Sequence, residues 1–230
     1  MTADHELRAR LAALADRDPQ PGWGWPRLPV GDQRHERGFR PSAVAVLARP
    51  DRDDIELLLV RRSARHRHHP GQFAFPGGGI DPGETPQRAA LRETHEETGL
   101  VLPERAVIGT LPPLALTASS NLVTPVLAWA DDDAEHGEPL DDEAAETLWL
   151  PRRELIDPAR RVAVTTDVGW RGPGFVIGDG LIWGFTATVL DWMLTELGGN
   201  PRWQASPVHH LQLRPTSQGS GFFISEDGYL

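Results

Sequence analysis

Three glutamates, Glu93, Glu96 and Glu97, stand at i, i+3 and i+4 in the stretch PQRAALRETHEET. If that stretch is helical, all three carboxylates leave from one face, where like charges repel by a few tenths of a kcal/mol per pair. A hard divalent cation such as Mg²⁺ or Mn²⁺ would relieve that repulsion, because carboxylate oxygens are its preferred donors. The same spacing also suits an acidic, solvated helix face, since Glu is a good helix former. Gly77, Gly78 and Gly79 just upstream favour the metal reading, because glycine lets backbone approach a ligand closely. Arg92 adjoins the carboxylates and Glu84 precedes them, a pair suited to bracing a loop against the helix.

Composition removes other chemistries. All 23 basic residues are arginine, so Schiff-base, P-loop and general-base lysines are excluded. Cysteine is absent, which excludes thiol nucleophiles, disulfides and iron–sulfur clusters. A net charge of −10 argues against broad binding to nucleic acid or anionic membrane. Within that acidic chain, Arg61 to His69 gathers Arg61, Arg62, Arg65 and Arg67 with three histidines, a candidate phosphate site or a solvated basic loop. The histidines lack a second ligand pair for zinc, and Ser119 and Ser120 lack a triad context. Trp129, Trp149 and Trp183 fall in strand or helix runs and are expected in the core, while Trp23 and Trp25 have no assigned role. No segment approaches the ~18 apolar residues of a membrane span, and the N-terminus does not read as a secretory signal. A soluble cytoplasmic protein is therefore expected.

The carboxylates need elements to position them. A helix is expected over 86–98, with Thr85 as N-cap, Pro86 at its first position and Gly99 closing it in a left-handed cap. Leu7, Leu11 and Leu14 mark an amphipathic helix over 4–17, and Pro and Gly break regular structure over 19–29. Strands are expected over 42–48 and 55–61, near 106–111, 122–129 and 145–150, and in the runs 161–170 and 174–178. The segment 131–146 holds nine acids and reads as a solvated loop. The run 181–197 is apolar on most sides and reads as a buried helix. The resulting organisation is an N-terminal helix and Pro/Gly/Trp-rich linker (1–39), a main domain (40–197) and an irregular or disordered tail (198–230). Strands interleaved with helices imply an α/β (α+β) fold, a mixed sheet with helices on its faces.

Gly78, Glu84, Arg92-Glu93, Glu96-Glu97 and Gly99-Leu100 together resemble the Nudix box, G-x5-E-x7-R-E-U-x-E-E-x-G-U, with U aliphatic. Thr94 stands where the family prefers an aliphatic residue. The resemblance implies a mixed β-sheet sandwiched between helices and Mg²⁺- or Mn²⁺-dependent hydrolysis of a diphosphate joined to a nucleoside. By the same resemblance, Glu93 and Glu97 are principal metal ligands, Glu96 is a third or water-mediated one, and the carbonyl of Gly77 or Gly78 completes the shell. Arg92 belongs to the catalytic set with these carboxylates and, with Glu84, orients them. The general base stays open among Glu93, Glu96, Glu143 and Glu146.

Upstream, Leu58, Leu59, Arg62, Ser63, Ala64, Arg67, Gly71, Phe75, Pro76, Gly77 and Gly78 resemble the signature of the coenzyme A pyrophosphatase branch, with Val60 where that branch has Thr. The runs SSNLVTPVLA and IWGFTATVLDWML are similar to that branch as well. The implied substrate is coenzyme A or an acyl ester, giving 3′,5′-ADP and (acyl-)4′-phosphopantetheine, with Arg61, Arg62, Arg65 and Arg67 reading the 3′-phosphate. ADP-ribose or a dinucleotide is the alternative substrate, and a non-catalytic binding or regulatory module the alternative class. No exposed apolar stripe marks an interface, and a homodimer stays open.

Overall fold

A computed structural model describes residues 3–15, 17, 38–52, 54–62, 72–116, 119–131, 134–140, 144–167, 169–200, 202–211, 213–215 and 222–224. In chain order its elements are α1 (Ala3–Ala15), β1 (Arg40–Asp51), β2 (Asp54–Arg62), β3 (Phe73–Ala74), β4 (Gly77–Gly79), α2 (Pro86–Thr98), β5 (Leu100–Val101), β6 (Val107–Thr110), β7 (Leu114–Leu116), β8 (Asn121–Trp129), β9 (Glu135–His136), β10 (Ala144–Pro151), α3 (Arg152–Leu155), β11 (Arg161–Thr166), β12 (Arg171–Ile177), β13 (Gly180–Ile182), α4 (Gly184–Glu196), β14 (Val208–Leu211), β15 (Leu213–Pro215) and β16 (Phe222–Ile224).

The main sheet runs β10-β2-β1-β8-β6, with β3 added to β2, β4 to β1 and β7 to β8. The β1–β8 pair is parallel and its neighbours antiparallel, so the sheet is mixed as expected. Its strands are apolar on both faces, which requires cover on both sides. Ala43 and Ala45 of β1 and Val126 of β8 pack with Ala89 and Ala90 of α2, where small side chains let the helix lie close to the sheet. The alternate residues Val46, Ala48, Leu57, Leu59, Leu127 and Trp129 face the other way, into one core with Leu11 and Leu14 of α1 and most of α4. The expected mixed sheet between helices is thus the observed architecture.

A second sheet, β13-β12-β11-β14, explains why the run around 186–194 is apolar on most sides. Phe175, Ile177 and Ile182 of that sheet join the main core, so α4 is held between two sheets and Thr186 through Leu194 are all buried. Within this layer Arg161 donates to Asp191, both buried, and its guanidinium lies 4.1 Å over the Phe175 ring. Burial pushes the Asp191 carboxyl up, against the opposing pull of Arg161. Asn200 also donates to Asp191 Oδ1, at 3.0 Å.

Three expectations change. Leu181 and Ile182 belong to β13, paired with β12, and the helix starts only at Gly184. The stretch after 198 is not uniformly irregular, because β14 pairs in parallel with β11. The acidic loop contains β9, and β10 begins inside it at Ala144. At the other end, Ala15 of α1 fits over Gly109, while Arg10 donates to the Leu197 carbonyl and Arg17 pairs with Glu196. Trp129 is buried, Trp149 lies under the Arg49 guanidinium at 4.0 Å, and Trp183 meets Trp170 edge-on at 5.8 Å. Trp23, Trp25 and the expected linker around them lie outside the described residues. Among the described residues no helix is long and apolar enough to cross a membrane.

Candidate active site

Local sequence fixes α2 at both ends. Thr85 Oγ1 accepts from Arg88 N at 3.3 Å, Pro86 occupies the first turn, and Gly99 adopts φ 72°. Gly99 is required twice over, since a Cβ there would stand 2.2 Å from the Gly137 carbonyl oxygen. Thr94 is fully buried, and its hydroxyl donates to the Ala90 carbonyl at 2.7 Å, so the departure from an aliphatic residue leaves no orphaned polar group. The three expected carboxylates do share one side of the helix, but at graded depth: side-chain exposure is 34% for Glu96, 16% for Glu93 and 3% for Glu97.

Arg92 organises this face. Its Nε and Nη2 donate to the two Glu84 oxygens, both at 3.1 Å, and Nη2 also donates to the Gly79 carbonyl at 2.9 Å. Nη1 donates to Glu93 Oε1 at 2.8 Å and to Glu96 Oε2 at 3.1 Å. A guanidinium has five N–H donors, so this fork is fully used. Hydrogen bonding to Arg92 holds the Glu84 carboxyl below the usual range, and Glu84 in turn raises the Arg92 pKa.

The glycines provide contact rather than mere looseness. Gly77 N donates to Glu97 Oε2 at 3.2 Å, and β4 pairs with β1 so closely that a Cβ on Gly77 would lie 2.4 Å from the Ala43 carbonyl oxygen. A Cβ on Gly78 would lie 2.4 Å from Glu93 Oε1. The strand therefore presses directly on two of the three carboxylates.

The pleat of β2 separates the neighbouring arginines. Successive side chains on a strand point to opposite faces. Arg62 turns toward α2, where Nη2 is 4.0 Å from Glu97 Oε1. Arg61 turns toward the second sheet, where Nη1 and Nη2 pair with the two Asp179 oxygens at 3.0 and 3.1 Å. That pairing holds the Asp179 carboxyl below its ordinary value. Glu146 stands opposite Arg61 in register and 4.0 Å from it, hence on the face away from the box carboxylates. Sequence grouping of Arg61 with Arg62, and of Glu146 with the box, does not survive this alternation. Arg65, Arg67 and Glu143 lie outside the described residues, as do His66, His68 and His69.

Backbone groups add what no motif announces. Gly137 N donates to the Gly99 carbonyl and Leu140 N to the Glu96 carbonyl, each at 2.8 Å. The acidic segment is therefore fastened to the C-terminal end of α2, reinforced by the β5–β9 pair.

Among the described residues no three His, Asp or Glu side chains stand ready-made as a metal cage. Arg92 Nη1 instead bridges Glu93 and Glu96. The donor chemistry nevertheless fits a hard divalent cation. Glu93, Glu96 and Glu97 put carboxylate oxygens on one side of α2, with Glu84 joined to Glu93 and Glu96 through Arg92, and these are the hard donors such a cation takes.

The chain is similar to a known family and to several of its members. The NUDIX domain family matches residues 38–167. A protein of Enterobacter sp. named "Uncharacterized Nudix hydrolase NudL" is 30% identical over 168 residues, covering 70% of this chain and 85% of the relative. Its namesake from Citrobacter koseri is 33% identical over 151 residues, covering 63% and 77%. A crystal structure of a Nudix hydrolase from M. smegmatis, RenU, is 27% identical with a TM-score of 0.41, covering 52% of this chain and 76% of that one.

Proposed function

The chain belongs to the NUDIX domain family, and from that premise we propose that it hydrolyses a diphosphate bond in a nucleoside diphosphate derivative with Mg²⁺ or Mn²⁺. The observation that carries the reading is the set Glu93, Glu96 and Glu97 on one helix, the first two held by the saturated Arg92 and the third by Gly77 N of the glycine strand. Hydrolysis adds water across one P–O–P linkage: the water oxygen bonds to one phosphorus, the bridging oxygen leaves with the other, and a proton must be accepted. Glu93, Glu96 and Glu97, with the Gly77 carbonyl, would hold the cation. When bound, it neutralises the diphosphate oxygens and lowers the pKa of a bound water. Arg92 keeps Glu93 and Glu96 aimed, and Gly77 N does the same for Glu97. Glu93 and Glu96, the more exposed of the three, are the box candidates for taking the proton.

Coenzyme A or an acyl-coenzyme A is the favoured substrate, giving 3′,5′-ADP and (acyl-)4′-phosphopantetheine. What supports this is the upstream pattern from Leu58 to Gly78 and the cationic residues it carries. Arg65 and Arg67 are assigned to the 3′-phosphate, whereas Arg61 is already committed to Asp179. The test is a comparison of coenzyme A, ADP-ribose and a diadenosine polyphosphate at equal Mg²⁺, with products identified by mass. Release of 3′,5′-ADP at the highest kcat/KM supports the assignment. Preference for either other compound keeps the chemistry and removes coenzyme A. Turnover of none of them, by folded protein with either metal, replaces hydrolysis with the binding-module reading.

A further inference from the structure

The last turn of α2, which carries Glu96 and Glu97, is not closed by its own chain. In a continuing helix the Glu96 carbonyl would accept from the backbone N–H four residues on. Gly99 ends the helix at φ 72°, and Leu100 N donates instead to Thr98 Oγ1 at 3.3 Å. Leu140 N fills the gap at 2.8 Å and is, among the described residues, the one hydrogen-bond donor to that carbonyl. Gly137 N serves the Gly99 carbonyl in the same way. Glu135 and His136 pair with Val101 and Leu100, so residues 135–140 run antiparallel to 96–101. The hold at Leu140 lies in its backbone, because the residue is 66% exposed and its side chain buries little.

We propose that the backbone N–H groups of Gly137 and Leu140 are positioning groups for the cation site: they complete the last turn of α2 from outside, so that cation uptake by the carboxylates and attachment of the acidic segment stabilise one another. The inference rests on the hydrolase reading above. Glu96 is held at two atoms, Oε2 by Arg92 Nη1 at 3.1 Å and the carbonyl by Leu140 N at 2.8 Å. Loss of the second contact lets the turn over 96–98 fray, as helix ends with unsatisfied carbonyls do, and draws Glu96 and Glu97 away from Glu93. A cation that needs these carboxylates together binds the attached state better. By linkage, its binding favours attachment by the same factor. Both groups act through the end of the helix, so they position the carboxylates without entering the reaction.

The test uses the full chain, with electron paramagnetic resonance of free Mn²⁺ and amide hydrogen exchange with and without Mg²⁺. Leu140→Pro deletes the N–H and should bind Mn²⁺ about fivefold more weakly, the scale of one net hydrogen bond. Leu140→Ala keeps the N–H and should bind Mn²⁺ within about twofold of wild type. In the wild-type protein, saturating Mg²⁺ should slow exchange at the Gly137 and Leu140 amides by about the same fivefold. A merely structural attachment would lower the Tm of Leu140→Pro and leave its Mn²⁺ affinity unmoved. If the proline variant does not fold, the α-hydroxy acid analogue of leucine at position 140 replaces the N–H with an ester oxygen and is read the same way. Mn²⁺ affinity within about twofold of wild type in the folded N–H-deleted protein overturns the coupling and leaves the hydrolase reading standing. Exchange indifferent to Mg²⁺, or equal losses of Mn²⁺ affinity in Leu140→Ala and Leu140→Pro, does the same. Failure of the wild-type protein to bind Mn²⁺ overturns both.

Discussion

Replacing Gly78 with alanine separates the catalytic role of the glycine strand from its structural role. The new Cβ would stand 2.4, 2.5 and 2.7 Å from Glu93 Oε1, Cδ and Oε2, whereas ordinary contact begins at 3.4 Å. The carboxylate must therefore withdraw by about 1 Å, a misplacement of the size that costs catalysis about 10²-fold. Because the obstacle is the tip of a flexible side chain, the fold should lose only about 0.5–1.5 kcal/mol, the cost of one displaced rotamer. Gly77→Ala is the control. Its Cβ would meet the Ala43 carbonyl oxygen at 2.4 Å and Val44 Cα at 2.6 Å, which are backbone atoms paired in register. That overpacking should cost about 2–3 kcal/mol, roughly 4–12 °C in Tm for a chain of this size. Thermal unfolding and Mg²⁺-dependent diphosphate hydrolysis are measured on both variants. Gly78→Ala activity within threefold of wild type, or a stability loss equal to that of Gly77→Ala, would refute the reasoning.

Other perturbations follow from the same contacts. Arg92→Lys keeps the charge but lacks the five-donor fork, so kcat should fall at least tenfold with little change in Tm, measured by steady-state kinetics. Asp191→Ala leaves the buried Arg161 without its carboxylate and should cost about 3–5 kcal/mol in urea unfolding, whereas replacing both partners by Met and Leu should recover most of it. The Glu84 carboxyl is held low in the folded protein, so its stabilising contribution is complete above the unfolded pKa of about 4.3 and is lost as pH falls through the folded value. Glu84→Gln should accordingly flatten the acid limb of a Tm–pH profile. Thr94→Val removes a hydroxyl satisfied within its own helix and should change stability by less than about 1 kcal/mol, read by thermal unfolding.

The helix that bears the carboxylates was legible because its determinants are local. Thr85, Pro86 and Gly99 act on neighbours within four residues, and they bound α2 where the sequence placed it. The main strands were legible as apolar runs of strand length. Pairings made at long range were hidden. Leu181 and Ile182 continue an apolar run into α4, and only pairing with β12 makes them a strand. Val208–Leu211 carries two histidines and looks irregular until the edge of β11 captures it. Arg61 and Arg62 read as one basic pair because composition carries no pleat, yet one serves Asp179 and the other faces Glu97. The attachment of the acidic segment to α2 uses the backbone of Gly137 and Leu140, which leaves no mark in side-chain identity.

The most direct test is Glu97→Gln, which keeps the shape of the side chain that accepts from Gly77 N and removes its charge. Measured beside wild type on the best diphosphate substrate with saturating Mg²⁺, kcat should fall by about 10³-fold or more. Tm should stay within a few degrees. Activity within tenfold of wild type in the folded variant would contradict hydrolysis at this carboxylate cluster.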